Sequence, residues 1–163
     1  MKKESLEIIY EKYSNEVYLY AFSLCKDYYI AEDLVSDTFF KALIALNDEN
    51  LEIKYWLFRV CKNLWLDSLK RKKHFINSNI DLYNLSTDDT PLKKIIENEN
   101  KRNLYISILN LPPINMEIVF LFYFCNIPLK EIALNLNITP GYARTLLCRT
   151  RYKLKKLLEE ASP

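Results

Sequence analysis

Glycine is almost absent from this chain: among its 163 residues there is only one, Gly141. Phosphate-binding loops of the Walker type and dinucleotide-binding loops each need several glycines, because their backbone must approach the phosphates closely. The composition therefore excludes both kinds of nucleotide site. Scarce glycine also argues against an all-β fold rich in tight turns, so the sequence predicts an all-α protein.

Histidine is equally scarce, with His74 as its single representative, and the four cysteines are far apart in the sequence. No two of them form a Cys-x-x-Cys pair, so the pattern argues against a zinc site. One histidine gives little basis for a Ser-His or Cys-His nucleophile, and the carboxylates form no convergent acid–base pair. We expect no metal, no cofactor and no enzymatic activity. Cys25, Cys61, Cys125 and Cys148 are expected to be buried free thiols in a reducing compartment.

Long apolar runs are also missing from the sequence. No segment is long enough to span a membrane, and the first residues lack the charged and then apolar pattern of a secretion signal. The expected location is therefore the cytoplasm. Hydrophobic residues make up 50% of the chain, which is enough to form the core of one medium domain or of two small ones.

The net charge of +2 conceals a strong segregation of charge along the chain. Residues 1–50 carry five basic and ten acidic residues, and residues 81–120 carry four and six. Residues 51–80 carry seven basic and two acidic residues, and residues 121–163 carry seven and three. A basic segment is typical of a nucleic-acid contact, so two basic segments predict contact with nucleic acid at two places. The acidic stretches indicate a further, different partner.

Apolar residues recur at helical spacing in the first half, which predicts helices over 4–25, 30–46 and 53–75. The second helix has an acidic outer face, for which plain solvation is a sufficient explanation. The third helix interleaves aromatic residues with bases and ends in a run of bases. Such interleaving suits single-stranded nucleic acid, because bases stack on aromatic rings while cations bind phosphates. At least one of its tryptophans, Trp56 or Trp65, is expected in the core.

Residues 77–91 lack both helical periodicity and positive charge. A segment of this kind between periodic stretches is typical of a linker. The sequence therefore predicts two helical domains, 1–76 and 92–163, joined by this segment.

The second domain is predicted to begin with a helix that starts at Thr90 and Pro91, a capping residue followed by proline, and continues to about residue 110. Leu111-Pro112-Pro113 would end that helix. The next helix, 114–124, is apolar nearly all round and is therefore expected to be buried.

Residues 128–158, PLKEIALNLNITPGYARTLLCRTRYKLKKLL, predict a short helix, a tight turn and a long basic helix. Asn137 stands where the turn needs a left-handed backbone, and Thr139 with Pro140 predicts the start of the second helix. One face of that helix is apolar and the other is basic, as in a helix-turn-helix recognition helix. The apolar face comprises Ala143, Leu146, Leu147, Thr150, Leu154, Leu157 and Leu158. An ordinary amphipathic C-terminal helix is the alternative, but the coincidence of turn, cap and charge favours DNA binding.

Three segments together carry a resemblance to a known family: AEDLVSDTFFKAL at 31–43, WLFRVCKNLWLDSLKRKK at 56–73, and LNLPPINMEIVFLFYFCNIPLKEIALNLNITPGYARTLLCRTRYKL at 109–154. In this order and spacing they resemble the clamp-binding helix, the promoter-melting and −10 helix, and the −35-binding domain of small sigma factors of bacterial RNA polymerase. These are the extracytoplasmic-function (ECF) group of the sigma-70 family. The resemblance covers nearly the whole chain and implies an alternative sigma factor that directs core polymerase to specific promoters.

The resemblance implies that the second helix binds the polymerase clamp. Asp33 and Asp37 would supply charge-assisted contacts to basic clamp residues, with Leu34 and Phe40 packing near them. The loop at 47–52 corresponds to the segment that captures a flipped base of the non-template strand in relatives. The domains at 1–76 and 92–163 then correspond to sigma regions 2 and 4.

The resemblance also assigns the two basic helices to DNA. The residues expected to act together at the −10 region are Trp56, Arg59, Lys62, Asn63, Lys70 and Arg71. The residues expected to bind the −35 region are Arg144, Thr145, Cys148, Arg149, Arg151 and Lys153. Arg151 and Lys153, together with Lys155 and Lys156, are expected to hold phosphates, which position the protein without specifying sequence. The family often has arginine where this chain has Leu146, which falls on the apolar stripe.

Relatives are commonly inhibited by an anti-sigma protein, often membrane-bound, and the resemblance implies such a partner beside core RNA polymerase and promoter DNA. A stand-alone helix-turn-helix regulator is the alternative, and it would bind a symmetric operator without polymerase. It would leave the acidic second helix and the basic third helix unexplained. A protein-binding adaptor is a further alternative, for which DNA binding would be weak and insensitive to salt.

Overall fold

The computed structural model describes residues 3–45, 52–72 and 91–161. Every regular element within these ranges is a helix, which confirms the predicted all-α fold. The chain forms two compact units, Met1–Ser78 and Asn79–Pro163, called here the N-terminal and C-terminal units. None of the helices in the described ranges is both long and apolar enough to cross a membrane.

The N-terminal unit contains three helices that each pack against the other two: α1 (Lys3–Cys25), α2 (Tyr28–Ala45) and α3 (Ile53–Lys72). Their bounds agree with the predicted helices to within a few residues. A sharp junction separates α1 from α2, where Lys26 has a φ of 57° and Asp27 caps α2. Asp27 Oδ1 accepts hydrogen bonds from the backbone N–H groups of Tyr29 and Ile30, at 2.9 and 3.0 Å, which satisfies donors at the start of the helix.

Aromatic rings fill much of the core of the N-terminal unit. Tyr20 from α1 meets Phe58 from α3 edge to face at 5.3 Å between ring centroids, and both rings are almost wholly buried. Trp65 is also buried, with 5% of its surface exposed, so one of the two tryptophans lies in the core as predicted. Large aromatic rings contribute much of the apolar area that a small domain can remove from water, and here they hold α3 in place.

The C-terminal unit begins with two helices, α4 (Pro91–Ile95) and α5 (Glu99–Leu109), where a single helix was predicted. That prediction is wrong because Asn98 starts a new helix: its side-chain oxygen accepts a hydrogen bond from the Lys101 N–H at 3.1 Å. Arg102 supports the break by donating a hydrogen bond from Nη1 to the Ile96 carbonyl at 3.0 Å.

The next helix, α6 (Pro113–Val119), runs directly into one turn of π-helix, Phe120–Phe124, called here the π turn. The prediction that 114–124 would be buried nearly all round is wrong for its last residues, because 45% of Tyr123 is exposed. The wider π turn changes the phase of the side chains, so the exposed and buried positions no longer follow α-helical spacing. Phe120 and Phe124 stack at 5.4 Å and both contact the buried Tyr105 ring edgewise at 5.8 Å.

The unit ends with the predicted pair of helices, α7 (Leu129–Leu136) and α8 (Pro140–Ala161). Helix α8 packs against α5, α6 and α7, so the rest of the unit serves as its support. The predicted loop at 47–52 and the predicted linker at 77–91 lie almost entirely outside the described residues, as does His74.

Candidate nucleic-acid interface

The turn between α7 and α8 fixes how the second helix leaves the first. Asn137 adopts the left-handed conformation, with φ 57° and ψ 46°, at the position predicted for it. The N–H of the following residue, Ile138, donates to the Ala133 carbonyl at 2.9 Å and so closes the end of α7. Asparagine tolerates this backbone better than most residues, and the motif is a common way to end a helix.

Thr139 caps the start of α8, as predicted. Its Oγ1 accepts a hydrogen bond from the Tyr142 N–H at 3.1 Å, and Pro140 occupies the first helical position. The cap satisfies a backbone donor at the helix start, and proline loses nothing there because its missing N–H would have no partner within the helix. The two helices and their turn therefore form a helix-turn-helix.

The predicted apolar stripe of α8 faces the interior of the unit. Ala143, Leu146, Leu147 and Leu154 are each at most 9% exposed, and Thr150 is fully buried. The Thr150 hydroxyl donates to the Leu146 carbonyl at 2.6 Å and accepts a hydrogen bond from Asn115 Nδ2 at 2.8 Å. This neutral hydrogen-bond chain joins α8 to α6 within an otherwise apolar contact, so it fixes the register of the two helices.

Four predicted DNA-binding residues lie on the exposed side of α8, within its first three turns: Arg144, Thr145, Cys148 and Arg149. Thr145 Oγ1 donates a hydrogen bond back to the Gly141 carbonyl at 3.3 Å, which holds the Thr145 side chain against the helix. Residues spaced three, four and seven apart share one face of a helix. By this spacing Gly141, Thr145 and Cys148 form the middle of the exposed side.

The charged residues of α8 lie on both edges of that middle line. Arg144, Arg151 and Lys155 follow one edge at spacings of seven and four, and Arg149 and Lys153 follow the other at a spacing of four. The exposed side of α8 is thus a central line between two basic edges, called here the basic-edged face. Its first residues are small, and the line continues to the exposed Tyr152, four residues after Cys148.

Arg151, one of the predicted phosphate-binding residues, has two aromatic partners. Its guanidinium carbon lies 5.8 Å from the centroid of the Phe122 ring and 5.5 Å from that of Tyr123, both in the π turn. Such cation–π contacts orient the guanidinium plane and restrain its motion. Arg151 therefore lies at the side of α8 that faces the π turn, whereas Lys153 is exposed on the far edge.

The predicted −10 residues fall on the exposed side of α3. Arg59, Asn63 and Lys70 are exposed and share one line along the helix, and Arg71 is exposed beside it. Trp56 and Lys62 are half-buried at its borders. Sequence reasoning missed Leu66, which is 42% exposed and lies on the line between Asn63 and Lys70. The spacing of Leu66, three residues after Asn63 and four before Lys70, would have predicted its place on this line.

The predicted polymerase-binding residues divide into exposed and buried ones. Asp33 and Asp37 are exposed on α2 and Phe40 is 62% exposed, whereas Leu34 is only 5% exposed and faces the core. Three exposed hydrophobic residues of α2 were missed, among them Tyr29, 81% exposed, and Ile44, 66% exposed; the third is Leu43, 51% exposed. Tyr29 and Ile44 are the two on the line of the aspartates, because Tyr29 precedes Asp33 by four residues and Ile44 follows Phe40 by four.

The cysteines are all free thiols. Cys25, Cys61 and Cys125 are buried as predicted, but Cys148 is exposed, because it stands on the outer side of α8. Burial raises the pKa of the Cys25 thiol to about 11 and that of the Cys61 thiol to about 12, so both stay protonated and unreactive near neutral pH. No cluster of residues suited to holding a metal ion occurs in the ranges that the structure describes.

A largely apolar groove with a volume of about 610 Å³ lies beside α8 in the C-terminal unit. Leu104 and Ile108 of α5, Tyr123 of the π turn, and Leu154 and Leu158 of α8 form its walls. Its remaining lining residues are Arg151, Lys155 and Glu159.

Comparison with known proteins identifies both units. The family Sigma-70 region 2 matches residues 9–75, and the family Sigma-70, region 4 matches residues 102–154. Along most of its length the chain is similar to two proteins of Bacillus subtilis (strain 168). It is 29% identical to the ECF RNA polymerase sigma factor SigM over 154 residues, which is 94% of each chain. It is 25% identical to the ECF RNA polymerase sigma factor SigW over 164 residues, covering 93% of this chain and 88% of SigW.

A solved structure shares the fold of the chain. This is the sigma factor RpoE from Bartonella quintana, crystallised in complex with the anti-sigma factor NepR, with a TM-score of 0.72 and 17% sequence identity. The likeness covers 96% of this chain and 98% of the other. Region 2 precedes region 4 in the chain, and the chain aligns with SigM along 94% of both lengths. The chain therefore belongs to the ECF group of the sigma-70 family, and its function is that of an alternative sigma factor that directs RNA polymerase to specific promoters and initiates transcription there.

Proposed function

We propose that three helices of this sigma factor have separate functions. Helix α2 attaches it to core RNA polymerase, α3 opens and holds the −10 region, and α8 binds the −35 duplex. Residues 1–76 would act as region 2, residues 92–163 as region 4, and residues 77–91 as the linker between them. Its place of action would be the cytoplasm, with core polymerase.

The observation that carries the −35 assignment is the basic-edged face of α8. The major groove of B-DNA is about 12 Å wide, so a helix lying in it has one sugar–phosphate backbone on each side. Arg151 on one edge and Lys153 on the other would meet the two backbones. Arg144, Thr145, Cys148 and Arg149 would then face the base edges.

The −10 assignment rests on a different kind of surface. The exposed line of α3 mixes Arg59, Asn63 and Lys70 with the hydrophobic Leu66, and the half-buried Trp56 stands at its border. Unstacked bases expose apolar faces that double-stranded DNA hides, so a surface that mixes cations with apolar groups suits an opened strand. Lys62 and Arg71 would complete the contact with the phosphates.

The attachment to polymerase would use the exposed line of α2. Asp33 and Asp37 would pair with basic residues of the clamp, and Phe40 would provide the apolar contact next to them. Leu34 would support this surface from beneath, since it is buried in the unit. Tyr29 and Ile44 would extend the contact at either end of the helix.

Regulation by an anti-sigma protein is proposed by analogy with the relative from Bartonella quintana, which was crystallised with one. Such a partner would mask the polymerase-binding surface of α2. The protein itself would have no enzymatic activity and no cofactor, and it would act only by joining polymerase to promoter DNA.

The test of this proposal is co-elution of the purified chain with bacterial core RNA polymerase. We expect wild type to co-elute and the double variant Asp33→Arg/Asp37→Arg to lose at least about nine-tenths of its binding, because two charge-assisted contacts become repulsive. The matched control is Glu7→Arg/Glu11→Arg, which reverses two exposed charges on α1 and should co-elute like wild type.

Each remaining outcome has a definite meaning. Co-elution of all three proteins would keep the sigma assignment and reject the two aspartates as docking residues. Loss of binding in both double variants would show that total charge, and not α2, controls the interaction. If wild type binds duplex DNA but not core polymerase, the chain acts as a stand-alone regulator and the proposal is wrong.

A further inference from the structure

The single glycine of the chain lies where the fold has no need of one. Gly141 is the second residue of α8, and its φ is not in the left-handed range. A Cβ atom built on it would meet only Arg144 Nη2, at 3.7 Å, which is an ordinary van der Waals contact with the end of a flexible side chain. Neither backbone conformation nor packing therefore requires glycine at this position.

Glycine is moreover a poor choice for a helix. It loses more backbone freedom on folding than any other residue, and alanine is the best helix former. The same α8 would be at least as stable with alanine at 141. The reason for the glycine therefore lies in something that α8 approaches from outside.

The location of Gly141 on α8 indicates which molecule the helix approaches. Gly141 lies in the middle of the basic-edged face, four residues before Thr145 and seven before Cys148, and it is exposed. Recognition helices commonly enter the major groove with their N-terminal residues towards the base edges. A side chain at 141 would project from the first turn of the helix, between the two basic edges.

We propose that Gly141 is a positioning residue for −35 recognition, which leaves the middle of the exposed side of α8 without a side chain in its first turn, so that the helix backbone can approach the DNA closely there. This rests on the proposed binding of α8 to the −35 duplex. Close approach of the first turn brings Thr145, whose hydroxyl is bonded to the Gly141 carbonyl, and Arg144, whose guanidinium lies beside Gly141, within reach of the base edges. A methyl group at 141 would hold the helix further out and weaken both contacts.

The experiment compares wild type, Gly141→Ala and Gly141→Ser in complex with core polymerase. The probe is a short duplex carrying the −35 element that wild-type holoenzyme selects from a randomised library. We expect Gly141→Ala to bind this duplex about tenfold more weakly, because base contacts of the kind lost contribute about that much discrimination. Gly141→Ser, which adds a larger group, should bind more weakly still.

Two further measurements separate positioning from folding. Binding to a duplex of unrelated sequence should change less than about twofold, because it depends on phosphate contacts, which read no sequence and are made by the long, flexible side chains of the basic edges. The melting temperature of Gly141→Ala should equal or exceed that of wild type. Asn103→Ala is the matched control, since it places alanine at another exposed helical position of the same unit and should raise helix stability without changing DNA binding.

The inference is wrong if Gly141→Ala binds the selected duplex as tightly as wild type, or if it lowers the melting temperature enough to explain the weaker binding. Failure of the proposed function gives a different result. Wild-type holoenzyme would then select no −35 element from the library, or selection would survive removal of the arginines of α8.

Discussion

The two basic helices, α3 and α8, are fixed to their units by different kinds of polar contact. At the start of α3, Lys54 Nζ lies 3.6 Å from Glu16 Oε2 of α1, in an ion pair that is only partly buried. In the middle of α8, Thr150 and Asn115 form a fully buried neutral hydrogen bond of 2.8 Å. The first contact depends on the charge of its members, and the second does not.

The two contacts are also unequally satisfied. Glu16 Oε2 is buried without a hydrogen-bond partner, since Lys54 is beyond hydrogen-bonding distance. The Thr150 hydroxyl, in contrast, both donates and accepts. A duplex-binding helix must hold one orientation in the groove, and a neutral, satisfied contact supplies that at any pH. The comparison shows that the polar contact holding α8 does not depend on pH, whereas the ion pair between α3 and α1 depends on the ionisation of Glu16.

The largest expected effect is on DNA binding, and it tests the exposed surfaces of α8 and α3 separately. Arg144→Ala/Arg149→Ala should weaken binding of holoenzyme to the selected −35 duplex by about thirtyfold or more, because each good arginine–base contact contributes about 1–3 kcal/mol of discrimination. Arg59→Ala/Lys70→Ala should leave that binding nearly unchanged and reduce opening of the −10 region. Duplex binding is measured by anisotropy, and opening by the permanganate reactivity of thymines.

Each double variant serves as the control for the other, since both remove two exposed positive charges from one helix. The division of labour between α3 and α8 would be refuted if the two double variants impaired duplex binding and opening to the same extent.

The next effect removes the neutral contact of α8. Thr150→Val deletes the hydroxyl with almost no change of shape and leaves the amide of Asn115, which is 6% exposed, without its partner. We expect the unfolding free energy of the C-terminal unit to fall by about 1–3 kcal/mol, the cost of an unsatisfied buried polar group. Thr150→Ser keeps the hydroxyl and should retain most of the stability.

Urea unfolding followed by two signals measures this effect. Both tryptophans, Trp56 and Trp65, belong to the N-terminal unit, so their fluorescence reports on that unit and far-ultraviolet circular dichroism reports on both. The variant should shift the dichroism transition and leave the fluorescence transition in place. Equal stability of Thr150→Val and Thr150→Ser would show that the hydrogen bond does not hold α8.

The smallest effect concerns the ionic contact of α3. Burial raises the pKa of the Glu16 carboxyl above its ordinary value of 4.5, and the nearby Lys54 ammonium only partly opposes this. The folded unit therefore holds the proton more tightly than the unfolded chain, so this contribution to stability is present below pH 4.5 and is lost as the pH rises through the folded pKa. Glu16→Gln, which stays neutral, should become more stable relative to wild type as the pH rises.

Tryptophan fluorescence during urea unfolding at several pH values detects this change in the N-terminal unit. Glu11→Gln, which removes an exposed glutamate of the same helix, is the matched control. If wild type instead gains stability over Glu16→Gln with rising pH, the attraction of Lys54 outweighs the cost of burial and the comparison of the two contacts must be revised.

The helices that follow strong local patterns could be predicted from the sequence. The turn at Asn137, the cap at Thr139 and the apolar stripe of α8 all lie where periodicity and capping residues indicated. The break before α5 was missed, because Asn98 can serve equally well in the exposed face of a helix or as its cap. Only the contact of Arg102 with the Ile96 carbonyl, which local patterns do not encode, distinguishes the two.

The sequence predicted on which helix face most candidate site residues lie, but it could not predict how far each side chain is exposed. Leu34 was placed in the polymerase-binding surface because residues 31–43 resemble the clamp-binding helix of the family, but it lies at the margin of the buried face. The rings beneath Arg151 were unforeseeable, because the π turn places Phe122 and Tyr123 out of phase with the α-helix that the sequence predicts. The individual site residues stay predictions until the variants above are measured.

The left-handed turns of this protein have a consequence for its unfolded state. Within the described residues, three have positive φ, Lys26, Asn126 and Asn137, and stand where glycine is the usual choice. Each keeps about 1–2 kcal/mol of local strain in the folded chain that glycine would avoid. Each also restricts the conformations of the unfolded chain more than glycine would, so less backbone entropy is lost when the turn forms. At these turns the folded chain is more strained than it would be with glycine, but less backbone entropy is lost on folding.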